Sequence, residues 1–109
     1  MTVNELAREL SLTSVAVPDG EREVSGAYIG DLLSWVMGRA QCDNVWITIM
    51  SNLNIIAVAS LADVSCIVLA EGVTLDETVV NTAMQKGVNV FSTEKSAYEI
   101  ATELARLQI

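Results

Sequence analysis

Four short apolar runs, each followed by a small or acidic residue and then an amphipathic helical pattern, restrict this chain more than any other feature. They are Val24 to Ile29, Val45 to Met50 (VWITIM), Cys66 to Ala70 (CIVLA) and Val88 to Phe91 (VNVF). Runs of four to six residues rich in β-branched types read as buried strands. Strand alternating with helix implies βαβ crossovers, which place neighbouring strands parallel. The expected fold is therefore α/β, a parallel or mostly parallel sheet with helices on both faces.

Composition supports that reading. Apolar residues make up 51% of the 109 positions and aromatics only 5%, so the core must be built from Val, Ile, Leu and Ala. Aliphatic runs of this kind suit strands covered on both sides. At this length one domain, residues 1–109, is the expectation, with no linker, repeat or low-complexity tract to divide it.

The local signals assign the remaining elements. Thr2 and Glu5 have capping-box spacing ahead of a first helix, and Ser14 to Val17 reads as a short strand ended by Pro18-Asp19-Gly20. Asp31 is placed to cap a helix through Leu32, Trp35 and Met37, with Gly38 to stop it. Ser51 or Asn52 caps the next helix, Leu53 to Leu61, whose apolar positions wrap nearly all round and so predict burial on more than one side. Thr74 and Glu77 again have capping-box spacing, before a helix ended by Lys86 and Gly87. Ser92 or Thr93 caps the last helix, with its stripe of Ala97, Ile100, Ala101, Leu104, Ala105 and Leu107. Trp35 and Trp46 are both expected to be buried; an uncovered sheet face or edge would instead make Trp46 a dimer contact.

Charge and missing residue types exclude several functions. The net charge is −8 with six basic residues, which is unsuited to nucleic acid or an anionic membrane surface. No stretch reaches the roughly 20 apolar residues of a membrane span, and the start MTVNELAREL lacks a basic leader, so a cytoplasmic location is expected. With no histidine, and no CxxC spacing between Cys42 and Cys66, neither a zinc site nor a Cys-His nucleophile can be assembled. No phosphate loop, dinucleotide-binding glycine motif or nucleophile elbow is present. The expectation is a protein that is not an enzyme and holds no cofactor.

In parallel sheets ligands gather outside the carboxyl ends of the strands. The residues there are Gly30 and Asp31; Ser51, Asn52 and Asn54; and Ser92 and Thr93. Small polar side chains at a helix start can serve as caps alone, or as caps that also receive an anion through free backbone N–H groups. Lys95 is the one cation at this edge and the expected counter-charge for a phosphate.

The segments GAYIGDLL, the strand carrying Ile47-Thr48, IVLAEGV and STEKSAYEIATEL appear in this order over about residues 20 to 107. In that order the chain resembles the DRTGG domain family, which is similar in turn to the N-terminal domain of HPr kinase/phosphorylases and to modules beside CBS pairs. The resemblance implies an HPr kinase N-domain-like fold, a non-catalytic regulatory role and self-association as a homodimer. The kinase phosphate loop of those enzymes lies in a further domain, so kinase activity is not expected. Where many relatives carry Gly-Asp-Arg-type residues after the Ile-Thr strand, this chain has Met50-Ser51-Asn52-Leu53-Asn54. The sequence thus leads to a ligand-sensing domain for a small anionic or nucleotide-like metabolite, the alternative being an acidic adaptor that docks on a partner enzyme without a ligand.

Overall fold

Every position of the strands β3 (Val45–Thr48) and β4 (Cys66–Leu69) is buried, as their unbroken aliphatic character requires. The computed structural model, which describes residues 1–109, places them at the centre of a five-stranded sheet. β2 (Ala27–Ile29) lies parallel to β3 on one side, and β5 (Val90–Ser92) lies parallel to β4 on the other. β1 (Thr13–Ala16) joins β5 antiparallel and completes the order β1-β5-β4-β3-β2. The sheet is therefore mostly parallel, with its two short polar or exposed strands at the edges.

Between these strands run α1 (Val3–Glu9), α2 (Leu33–Arg39), α3 (Asn54–Ala62), α4 (Glu77–Lys86) and α5 (Ala97–Arg106). Helices cover both faces, but not in the alternating way of a doubly wound sheet. From β2 to β5 each strand is the spatial neighbour of the one before it. Right-handed crossovers must then carry α2, α3 and α4 to the same face. Their side chains Val36, Ile55, Ile56, Val79 and Ala83 form one core layer with Trp46, Ile67 and Val90. The opposite face is closed by the two terminal helices, with Val3, Leu6 and Leu10 of α1 and its C-cap and Ile100 and Leu104 of α5 packed on Val45, Ile47, Val68 and Phe91. No helix is long and apolar enough to cross a membrane.

Helix ends follow the sequence signals in part. The Thr2/Glu5 box forms as expected, and Gly87 ends α4 with φ of 72°, a left-handed turn that costs glycine nothing. Other assignments are corrected. Gly38 lies inside α2, which ends one residue later at Arg39. The residue before α4 is Asp76 and not Thr74. The last helix is capped by Ser96, whose hydroxyl accepts from the Glu99 N–H while the Glu99 carboxylate returns the bond, and not by Ser92 or Thr93. α3 is buried through Ile55, Ile56, Val58 and Ala59 only, leaving Ala57, Ser60 and Leu61 exposed.

The two tryptophans part company. Trp46 is fully buried and its indole N–H donates to the Gly30 carbonyl at 2.9 Å. Trp35 is 52% exposed, with the Arg39 guanidinium 3.7 Å over its ring. The i, i+4 spacing of Trp35 and Arg39 brings cation and ring together on the solvent side of α2.

At the amino end of the sheet Arg22 binds the loops before β3 and after α3 to each other. Its guanidinium donates to Asp43 Oδ1, to Asp63 Oδ1 and to the Asp63 carbonyl, each within 3.1 Å. The exposed Cys42 thiol donates to Asp63 Oδ2 at 3.2 Å. The two groups shift each other: Cys42 and Arg22 hold the Asp63 carboxyl below its usual range, and Asp63 pushes the Cys42 thiol up. Cys42 should accordingly react slowly with iodoacetamide at mildly alkaline pH for an exposed thiol. Asp63→Asn removes the charge that opposes thiolate formation, so it should speed alkylation severalfold; an unchanged rate would place the cause elsewhere.

Candidate functional site

Asp31 is the residue that gives the carboxyl edge of the sheet its shape. It follows β2, and in place of capping α2 its Oδ1 accepts from Thr48 Oγ1 at 2.8 Å and from the Ile49 N–H at 3.0 Å. The start of α2 has no side-chain cap; Leu32 occupies that position. Together with the Trp46–Gly30 bond and the Gly30 N–H to the Ile47 carbonyl, this fastens the segment Gly30-Asp31 to β3 and its exit loop. Thr48 Oγ1 in turn accepts from the Met50 N–H. The loop that follows therefore starts from a fixed point.

That loop then leaves backbone donors free. Asn52 Oδ1 accepts from the Asn54 N–H at 2.9 Å, an Asx-type turn that opens α3. The N–H groups of Ser51, Asn52 and Leu53 have no acceptor within the protein, while the side chains of Ser51, Asn52 and Asn54 are exposed. Consecutive unpaired N–H groups at a helix start form a concavity with positive partial charge.

Leu53 and Asn54 also begin a groove of 390 Å³ between α3 and α4. Its floor is made by the small outward residues Ala57 and Ser60 with Thr82 opposite, and Lys86 stands at its far end. Sequence reasoning did not single out these residues. The signal available was the spacing of Ala57 and Ser60, three residues apart and hence on one side of the helix.

Of the seven residues expected at the edge, Gly30, Asp31, Ser51, Asn52 and Asn54 thus gather at the ends of β2 and β3. Ser92 and Thr93 lie apart from them at the end of β5, two strand spacings from β3, or about 10 Å. The loop after β4 fills the interval and pairs with that of β5: the Glu71 N–H donates to the Lys95 carbonyl and the Gly72 N–H to the Thr93 carbonyl, both at 2.9 Å. Gly72, at φ of 73°, lies under the Glu94 carboxylate, where a Cβ would fall 2.6 Å from Oε2. Thr93 Oγ1 accepts from the Lys95 N–H and is spent within its own turn.

Lys95 is not a free counter-charge. Its Nζ donates to both oxygens of Glu103 at 2.9 Å and to the Leu10 carbonyl at 2.8 Å, which fixes α1 to α5. The β4/β5 end of the edge is therefore closed by backbone pairing, with Glu71 and Glu94 exposed on it. At the β2/β3 end the unpaired donors are the backbone N–H groups of Ser51, Asn52 and Leu53.

Comparison with known proteins adds a family and a fold. The sequence profile of the DRTGG domain matches residues 19–107. No curated protein matches the sequence. Among solved structures the chain is similar to the CBS and DRTGG domains of the regulatory region of Clostridium perfringens pyrophosphatase, a structure determined with the activator diadenosine tetraphosphate. The two share 12% identity at a TM-score of 0.73, over 94% of this chain and 45% of that one. The present chain thus spans less than half the length of that regulatory region.

Proposed function

The chain belongs to the DRTGG domain family, and from that membership we propose that it is a non-catalytic regulatory domain that senses a small anionic, nucleotide-like ligand. The structural neighbour is part of a regulatory region that was crystallised with a nucleotide activator, which supports a regulatory reading for this fold. The ligand's negative group meets the N–H groups of Ser51, Asn52 and Leu53, and its less polar part lies along α3 toward Lys86. The observation that carries this is contiguity: the free donors and the groove share Leu53 and Asn54 at their boundary.

Several features support the absence of catalysis. Asp31 is committed to Thr48 and Ile49, Lys95 to Glu103, and Cys66 is sealed in the core. Acid–base chemistry needs a positioned group free to exchange a proton. We read residues 1–109 as a single folding unit, on the ground that α1 shares a core layer with α5. A cytoplasmic setting fits its two unpaired cysteines.

The test is isothermal titration with adenine nucleotides and, separately, inorganic phosphate. Asn52→Ala combined with Asn54→Ala unfastens the loop and should weaken nucleotide binding about fivefold, the equivalent of about 1 kcal/mol for one lost hydrogen bond. Binding that the double variant leaves unchanged, or no binding by either probe, would remove this site from consideration.

A further inference from the structure

A register shift in β1 decides where Ser14 points. Along a regular strand residues 14 and 16 would share a face. The shift between Ser14 and Ala16 breaks that alternation, as a bulge does. Val15 and Ala16 both pack in the layer of α2 to α4, whereas Ser14 stands opposite Phe91, which belongs to the layer of α1 and α5. Cross-strand partners present their side chains to one face. The Ser14 hydroxyl is thus delivered to the side of α1.

α1 meets it with a row of polar side chains. Asn4, Arg8 and Ser11 follow at intervals of four and three residues, on one side of the helix and of the turn that ends it. With Ser14 they line a cavity of 370 Å³ whose apolar wall is Ala7, Leu12 and Phe91. Arg8 enters none of the ion pairs, and the exposed hydroxyls of Ser11 and Ser14 donate to nothing in the protein. No carboxylate lines the cavity. The acids closest to it are engaged or turned away: Glu5 accepts from the Thr2 N–H, Glu21 accepts from the Asn4 amide, and Glu9 lies with Arg106 on another side of α1. Helix-end carbonyls, which would repel an anion, are occupied too. Those of Leu6, Ala7 and Arg8 accept from the N–H groups of Leu10, Leu12 and Ser11, and that of Leu10 accepts from Lys95.

We propose that this cavity binds a phosphomonoester with an apolar body. The Arg8 guanidinium takes two phosphoryl oxygens in its planar fork, and the hydroxyls of Ser11 and Ser14 donate to the third. A carboxylate has only two oxygens, which the fork alone satisfies; the two further donors call for a tetrahedral oxyanion. The body of the ligand lies on Ala7, Leu12 and Phe91. Ligand pockets occupy roughly 300–1,000 Å³, so the cavity has room for more than an inorganic ion. All its polar residues precede residue 19, where the family match begins, which makes the site a property of this chain and separate from the loop at Ser51 to Asn54.

Chemical-shift titrations of the full chain with phenyl phosphate, benzoate and inorganic phosphate test this. Phenyl phosphate should move the backbone amide signals from Arg8 to Ser14 saturably and bind more tightly than either of the other two. Arg8→Gln should weaken it about tenfold and Ser14→Ala about fivefold, as loss of a charge-assisted and of a neutral hydrogen bond requires. Both side chains are exposed and outside the core, so the variants keep the fold. The absence of saturable shifts at these amides overturns the proposal, and so does binding that both variants leave unchanged. Inorganic phosphate bound as tightly would reduce the site to an ion held by charge, and benzoate bound as tightly would remove the role of the hydroxyls; either result overturns it. The Asn52→Ala, Asn54→Ala double variant should bind phenyl phosphate like the wild type, so failure here leaves the nucleotide titration unaffected.

Discussion

Removal of residues 1–18 is expected to abolish the cooperative unfolding of this domain. The family match begins at residue 19, yet side chains ahead of it pack into the same core layer as α5. Val3 and Leu6 are fully buried and Leu10 is 1% exposed, all three against the layer of Phe91, Ile100 and Leu104. Burying three such side chains contributes on the order of 6 kcal/mol, the same size as the net stability of about 5–15 kcal/mol of a whole domain. The same deletion removes β1, leaving β5 as a new unprotected edge, and frees Lys95 from the Leu10 carbonyl. Urea titrations followed by far-ultraviolet circular dichroism should show a sigmoidal transition for the full chain and a shallow, featureless one for 19–109. Leu6→Ala is the milder form of the experiment and should cost about 3 kcal/mol. A fragment that unfolds at the midpoint of the full chain would make α1 and β1 an appendage.

The same terminal segments mark the limit of what the sequence alone conveys. The aliphatic runs located every parallel strand, and β3 and β4, buried on both faces, leave no polar alternation to misread. β3 and β4 agree with their runs within two residues. What the runs do not encode is order in space. A stepwise β2-β3-β4-β5 sheet and a doubly wound one have the same alternating pattern, so the single-faced placement of α2 to α4 was not legible. Nor was the task of α1 and α5 in covering the other face. Caps illustrate the same boundary at smaller scale. Asp31 stands where a cap is expected, but the Thr48 hydroxyl on the neighbouring strand lies within reach, and strand neighbours are a tertiary fact. Thr74 with Glu77 satisfies the capping spacing, although the chain enters α4 at Asp76. Within the site, Ser51, Asn52 and Asn54 were accessible from their position after a strand. Lys95 was misjudged because its partner Glu103 sits two helical turns further on, where only the fold of the β5–α5 loop brings the two together.

Stability should fall steeply above pH 9, and Cys66 should account for most of the fall. Its thiol lies fully buried on β4 and is pushed up from 9.0 to about 12, chiefly by burial, which the neighbouring Ser65 hydroxyl only partly offsets. The unfolded chain releases this proton near pH 9 and the folded chain holds it to about pH 12. Between those limits the native state binds more protons than the unfolded one, so each pH unit lowers the unfolding free energy by about 1.4 kcal/mol. The full contribution, on the order of 4 kcal/mol, is present below pH 9 and lost as pH rises toward 12. Cys42, also raised, adds in the same direction, so Cys42→Ser is the background for the measurement. In that background the urea midpoint should drop through the alkaline range, and Cys66→Ala should flatten most of the drop. Parallel curves with and without Cys66 would mean that the native thiol ionises freely, hence that solvent reaches β4. That outcome would reopen a chemical role for the one nucleophile at the centre of the sheet, whereas a thiol locked in its protonated form is unreactive at physiological pH.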